Sequence, residues 1–274
     1  MKKPSIDILL PYWGEFKLFK KTVDSVMAQS YTNWRLLVID DCYPSDEAAK
    51  YCSSLNDPRI IYHRHEKNIG ITNNFNFAVQ SAIANYAVII GCDDIMLPKY
   101  IETALQNIGD ADFYQPGVDV IDSNDIVYLP LGDRIKRLIQ PRKSGIYNGE
   151  QLATSLCHGN WLYFPSITWK TSSLKRYTFN ADYKIVEDLV VELELIKDGG
   201  KLFFDKNNTT FLYRRFNDSL SSREATKGGV RFQEEDAAYA HFVAVFSDLK
   251  WKKAARAARL HITSRLHRAL SQLK

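Results

Sequence analysis

Apolar and polar positions in the first hundred residues switch repeatedly between two periods. Runs rich in aliphatic residues at Ile6–Pro11, Trp34–Asp40, Ile60–His63 and Tyr86–Gly91 read as strands. The stretches between and after them, Leu18–Gln29, Ser45–Leu55, Thr72–Ala84 and Pro98–Asn107, space apolar residues by three and four and read as helices. Such alternation predicts right-handed βαβ units, and so an α/β fold with a mostly parallel central sheet flanked by helices. After Phe113–Val120 the regularity fades through Asp122–Gly149, where Pro130, Pro141 and several glycines mark loops. A second group follows at Gly149–Cys157, Ser166–Trp169, Val186–Asp198, Lys201–Phe204 and Phe211–Tyr213. The chain ends in two predicted helices, Phe232–Leu249 and Trp251–Leu273. The second places Trp251, Ala255, Ala258, Ile262, Leu266, Ala269 and Leu273 on one stripe over about 33 Å.

Composition narrows the class. The 274 residues suffice for a full core, and four cysteines without a CxxC pair argue against a disulfide framework or structural zinc. No apolar stretch reaches signal-peptide or membrane-spanning length, so a cytoplasmic protein is expected. The net charge of +4 is unevenly placed: no Asp or Glu follows Asp248, whereas Lys250, Lys252, Lys253, Arg256, Arg259, Arg265, Arg268 and Lys274 do. This basic amphipathic tail suits an anionic membrane surface at the inner face of the membrane, packing on its own domain, or self-association through 250–274. No nucleic-acid-binding module accompanies the charge, and none is expected.

Three patterns carry chemistry. Gly91-Cys92-Asp93-Asp94 ends an apolar strand and puts two carboxylates at the carboxyl edge of a sheet, where open α/β sheets bind ligands. A divalent ion shared with a diphosphate would offset their charge; capping of the helix near Pro98 is the plainer alternative. Pro11-Tyr12-Trp13 and Asp40-Asp41 follow the first two strands and could hold a nucleobase by stacking and hydrogen bonding, or serve as a core edge and a helix cap. Asn68-x-Gly70 would bring backbone amides to the same edge, or form an ordinary turn.

In order, Ile6-Asp7-Ile8-Leu9-Leu10-Pro11, Ser25–Tyr31, Leu37-Val38-Ile39-Asp40-Asp41, Asn68-Ile69-Gly70, Asn76 and Cys92-Asp93-Asp94-Ile95-Met96-Leu97-Pro98 resemble the opening half of a family 2 glycosyltransferase with the GT-A fold. The resemblance spans about residues 5–222. It implies a domain at 1–222, with a nucleotide-binding half at 1–110 and an acceptor-side half at 111–222, ahead of the helical extension 223–274. It also implies inverting transfer of a sugar from a nucleoside diphosphate, UDP-sugars being favoured, to a hydroxyl of a glycan or glycolipid, with Mn²⁺ or Mg²⁺ on the diphosphate. A surface-polysaccharide pathway is the setting it suggests.

By the same resemblance Pro11, Trp13, Asp41, Asn68, Gly70 and Asp94 belong to the donor site, Trp13 replacing the usual base-flanking Tyr and Asp41 being the base-binding acid. Asp93 matches the metal-binding acid of the DxD motif. Glu187-Asp188 matches the catalytic acidic pair, with Asp188 taking the acceptor proton; an acid at a helix start is the bland reading. Arg214 and Arg215 match residues near the diphosphate, or are plain surface residues. His158, Asn160 and Trp161, with Trp169, fall where acceptor loops usually lie, although large aromatics more often belong to a core. Two departures stand out: Gly91 replaces the first acid of DxD, and Phe216 replaces a common His. They motivate an alternative, a non-catalytic nucleotide-sugar binding or membrane-adaptor protein. A sugar-nucleotide pyrophosphorylase is disfavoured, because Pro11-Tyr12-Trp13-Gly14-Glu15 is no Gly-rich basic loop.

Overall fold

The computed structural model describes residues 6–216 and 230–271, with the side chains of the last two of these left aside. Nine strands form one mixed sheet: β1 (Ile6–Tyr12), β2 (Trp34–Asp40), β3 (Ile60–Arg64), β4 (Tyr86–Ile89), β5 (Ile95–Met96), β6 (Phe113–Ile121), β7 (Gly145–Asn148), β8 (Thr168–Lys170) and β9 (Lys201–Arg214). The order is β3-β2-β1-β4-β8-β6-β9-β5, with β7 paired to β9. Helices α1 (Phe16–Met27), α2 (Glu47–Ser54), α3 (Ile71–Ser81) and α4 (Tyr100–Asn107) alternate with the early strands. They are followed by α5 (Leu131–Ile139), α6 (Gly149–His158), α7 (Thr171–Leu174), α8 (Glu187–Lys197), α9 (Val230–Asp248), α10 (Lys252–Leu260) and α11 (Ile262–Ser271).

The period of two in the first strands decides the layering. On β1, Leu9 faces one core while Ile8 and Leu10 face the other; on β2, Leu37 and Ile39 oppose Leu36 and Val38. One core is closed by α1, α2 and α4, the other by α3, α6, α8, α9 and α10. Strands β1 to β4 are mutually parallel, as the alternation predicts. The far half is mixed: β8 runs antiparallel between β4 and β6, and β5 and β7 run antiparallel to β9.

Three expectations are corrected. Lys201–Phe204 and Phe211–Tyr213 are the ends of one strand, β9, which runs parallel to β6 with register shifts beside Gly117. The segment 122–149, expected as loops, contains α5 and β7. Helix α5 escapes the periodic pattern because its leucines point outward, Leu131 and Leu138 being 64% and 83% exposed, while Asp133 is buried. The expected helix Trp251–Leu273 is broken at His261, whose φ of 25° ends α10 and starts α11. Its alanine stripe, Ala254, Ala255, Ala257 and Ala258, packs into the same core as Tyr239, Phe242 and Phe246 of α9.

Candidate active site

The strand order reverses direction between β1 and β4, and their carboxyl ends open a crevice. Pro11 sits where β1 has passed the end of β4: β4 pairs only as far as Leu9, and Pro11 aligns with Ile39 of β2 alone. A residue without an N–H is tolerated where one neighbouring strand is missing. Just beyond, Trp13 is 51% exposed and meets Tyr43 edge-on, with ring centroids 5.3 Å apart. Its open face is available for stacking.

Asp40 and Asp41 take different parts. Asp40 is buried and accepts hydrogen bonds from the Tyr43 N–H (2.7 Å), the Tyr62 hydroxyl and Arg64. Asp41, also buried, accepts from the N–H groups of Ile69 (2.7 Å) and Gly70 (3.0 Å), while Asn68 Oδ1 accepts from Gly70 as well. Gly70 has φ of 83°, a left-handed conformation that favours glycine, at the start of α3. The carboxylate of Asp41 therefore holds the Asn68–Gly70 turn at the sheet edge.

Across the crevice lie Asp93 and Asp94. Asp94 is buried and its Oδ1 accepts from the Arg214 N–H at 2.8 Å. Arg214 Nε donates to the Asp93 carbonyl at 2.7 Å, and its other nitrogens reach the Asp122 carbonyl and the Asp125 carboxylate. With a side chain wholly inaccessible, Arg214 is the fastening beneath the acidic loop, which corrects its assignment as a direct donor contact. Gly91 has a local cause: a Cβ there would lie 2.5 Å from Asp94 Oδ2 and 3.1 Å from Asp93 Oδ1. The folded-back Asp94 carboxylate thus occupies the space a first DxD acid would need. Burial pushes the Asp93 carboxyl up to about 6, against the pull of Arg214. Burial, then the charge of Asp93, pushes Asp94 well above the usual carboxylate range. Two crowded acids compensated by one arginine favour an added cation. No cluster of three or more His, Cys, Asp or Glu ligands occurs among the described residues, so an ion bound by Asp93 needs oxygens from a diphosphate, the arrangement Mg²⁺ and Mn²⁺ accept.

Helix α8 brings the second acidic pair. Glu187 is buried and accepts from the Thr72 hydroxyl at 2.8 Å, tying the start of α8 to the start of α3, beside the Asn68–Gly70 turn. Burial raises its carboxyl to about 8, opposed by Thr72 and reinforced by the charges of Asp188 and Glu234. The hydrogen bond from Thr72 places it beside Asp188. Asp188 is half-buried, with Oδ1 accepting from its neighbour's N–H at 2.8 Å. Burial raises its basicity, and the Leu189 N–H, Lys136 and Arg231 oppose the rise.

Asp133, Lys136 and Tyr163, which no sequence motif marks, join Arg215 to the surroundings of Asp188. Asp133 of α5 accepts from the Tyr163 hydroxyl (2.8 Å) and from Arg215 Nη2 (2.9 Å). Arg215 Nε lies 2.8 Å from Asp133 Oδ2 but is poorly aligned, so that second approach is a charge contact without a hydrogen bond. Lys136, one turn on, donates to the Leu162 carbonyl at 2.7 Å and sits 4.3 Å above the Tyr163 ring. Burial and Arg215 lower its pKa to about 8, against Asp133, Asp188 and Glu192. The neighbouring Tyr213 feels Arg215, Asp94, Asp93 and Asp133 together. Charge contacts therefore run from Arg215, next in the chain to the Arg214 that holds the acidic loop, through Asp133 and Lys136 to Asp188. The sequence signal was a carboxylate and an amine three apart on a helix whose leucines face outward.

The acceptor expectations separate. Asn160 Nδ2 donates to Glu192 Oε2 at 3.0 Å, one turn along α8 from Asp188. Glu192 is fully buried, its other oxygen lacks a partner, and burial keeps the carboxyl well above its ordinary range. Trp161 and Trp169 are core residues, the first edge-on to Phe204 and the second stacked on Phe113, which corrects both. His158 is exposed at the end of α6, where its carbonyl accepts from Thr263 of α11; its place is the tail contact. Phe216 is half-buried, and the rest of the closing motif, Asn217-Asp218-Ser219-Leu220-Ser221, lies outside the described residues.

Comparison with known proteins identifies the family and the fold. The sequence model described as Glycosyl transferase family 2 matches residues 7–171, and the chain belongs to that family. It is 34% identical over 103 residues to the putative colanic acid biosynthesis glycosyl transferase WcaA of Escherichia coli K12, a match covering 37% of this chain and 37% of that relative. The aligned part thus spans little more than a third of that protein. Among solved structures, the mannosyltransferase PcManGT from Pyrobaculum calidifontis, in complex with GDP-Man and Mn²⁺, superposes with a TM-score of 0.68 at 12% identity, covering 98% of this chain and 74% of that one. S. aureus TarS 1-349 in complex with UDP-GlcNAc gives 0.66 at 13% identity, covering 86% and 66%. The fold is the GT-A arrangement of these enzymes.

Proposed function

We propose that the chain is an inverting glycosyltransferase that moves a sugar from a nucleoside diphosphate, UDP-sugars first, to a hydroxyl of a glycan or glycolipid. The observation that carries this reading is that Arg215, beside the arginine that holds the Asp93–Asp94 loop, reaches Asp188 through Asp133 and Lys136. Trp13 offers its face to the base, and Asp41 sets the turn that brings the Gly70 backbone beside it. Asp93 would hold Mn²⁺ or Mg²⁺, which when bound offsets charge on the departing diphosphate. Arg215, partly exposed and balanced by Asp133, supplies a guanidinium on the same side.

Asp188 takes the proton of the acceptor hydroxyl as its oxygen forms a bond to the anomeric carbon. The bond from that carbon to the diphosphate breaks with its electron pair leaving on the nucleotide, so configuration inverts. Burial suits Asp188 to this work by raising its basicity, and the Lys136 cation keeps it ionised beforehand. The bound nucleotide-sugars of TarS and PcManGT support a donor of this class, and the WcaA likeness supports a polysaccharide acceptor.

Release of nucleoside diphosphate from a UDP-sugar and GDP-sugar panel with Mn²⁺ tests the proposal. Asp188→Asn should lower kcat by about 10²–10⁴ while donor binding persists. Turnover at the parent rate would remove Asp188 from its role. Asp93→Ala should weaken metal-dependent donor binding instead. The crowding at Gly91 favours a second reading, a nucleotide-sugar binding protein without turnover. Ligand-induced thermal stabilisation with no product from any donor would select it.

A further inference from the structure

The tail buries the alanines of the stripe expected to meet a membrane, leaves Ile262 and Leu266 of that stripe exposed, and turns the charged side of α10 outward. At the corner between α9 and α10 a concavity of about 290 Å³ is lined by Ser247, Lys250, Lys252, Ala255, Arg256 and Arg259. None of these four cations has a carboxylate within ion-pair distance among the described residues. Arg265 joins them from α11, donating to the Arg259 carbonyl at 3.2 Å. Acids nearby are few: Asp248 is exposed at the end of α9, and Glu150 is engaged by the Lys253 N–H at 2.6 Å. Exposed aliphatic residues adjoin these cations in the chain, Leu249 before Lys250 and Leu260 and Ile262 after Arg259, at 40%, 37% and 54% exposure.

We propose that this corner docks the protein on an anionic lipid bilayer. Its unpaired cations meet lipid phosphates, and the adjoining exposed aliphatic side chains enter the headgroup boundary. Charge complementarity selects an anionic partner, and the exposed aliphatic neighbours select a bilayer: Leu249, Leu260 and Ile262 gain burial among headgroups and nothing on a nucleic-acid backbone. No helix among the described residues is long and apolar enough to cross a membrane, so attachment here is peripheral. The inference stands apart from the transferase reading, because it uses no residue of the crevice.

Vesicle flotation of the full chain tests it. Binding should be at least about tenfold stronger to vesicles of phosphatidylcholine with phosphatidylglycerol than to phosphatidylcholine alone, and should fall at high salt. The triple variant Lys250→Glu, Arg256→Glu, Arg259→Glu should lose about a hundredfold in partitioning, with nucleotide-dependent thermal stabilisation unchanged. Leu260→Ser with Ile262→Ser should weaken binding at constant charge. Inorganic phosphate should displace the protein no better than chloride of equal ionic strength. Equal binding to neutral vesicles, an unaffected triple variant, specific displacement by phosphate, or tighter binding to duplex oligonucleotide would each overturn the proposal. The vesicle and salt comparisons use the unaltered chain, so they decide even if a variant fails to fold.

Discussion

Glu187 shows how one buried group ties chemistry to stability. Its carboxyl is raised from its ordinary value to about 8, so the folded chain holds a proton that the unfolded chain releases above about 4.5. The stability it contributes is full below that lower value and is lost as pH rises through 8. Glu187→Gln keeps the Thr72 hydrogen bond without the ionisation. Its stability relative to the parent should therefore grow by on the order of a few kcal/mol between pH 5 and pH 9, measured by denaturant unfolding at each pH. Gly91 makes a second residue-scale case. Gly91→Asp restores the usual family acid but meets Asp94 Oδ2 within 2.5 Å of its Cβ. It should cost about 1–3 kcal/mol of stability and weaken donor binding in a thermal titration. The position of an acid could be read from the sequence here, whereas its partner could not. Asp41 was legible as a site residue, yet that its oxygens serve Ile69 and Gly70 depends on a turn brought in from after β3.

Among the elements, β1, β2, β4 and the helices α1 to α4 were legible because each strand alternates between two cores and each helix buries a stripe. Helix α5 was not. It buries Asp133 and places Lys136 over Tyr163 while its leucines face outward, so only Ile139 reaches the core, and the packed fold alone reveals this arrangement. Its Lys136 is predicted to act on Asp188 by charge alone. Removing the amine as Lys136→Met should raise the pKa of Asp188, moving the acidic limb of the kcat/KM profile up by about one unit. A change in KM with an unmoved limb would make Lys136 a packing residue. The pairing of β8 between β4 and β6 was equally hidden, since antiparallel insertion is a long-range choice that a three-residue strand does not announce.

At the scale of the molecule, the last helices serve the domain they follow. Phe242 and Phe246 of α9 and the alanines of α10 complete the core that also holds Leu189 and Leu193 of α8. Glu234 receives the Ile185 N–H at 2.7 Å, supporting the approach to Asp188. Deleting residues after Asp248 should therefore lower Tm by several degrees and increase aggregation in light scattering, even without membranes. The charge asymmetry of this tail was plain in the sequence. Which of its faces looks inward was not, because small alanines suit close packing and weak insertion alike.

The buried guanidinium of Arg214 has a mechanical consequence. By gripping the carbonyls of residues 93 and 122, and Asp125, which in turn meets Lys21 of α1, it rivets the acidic loop to two distant parts of the scaffold. The floor under an arriving donor is thereby stiff. Any tightening around that donor has to come from elements that this arginine does not grip.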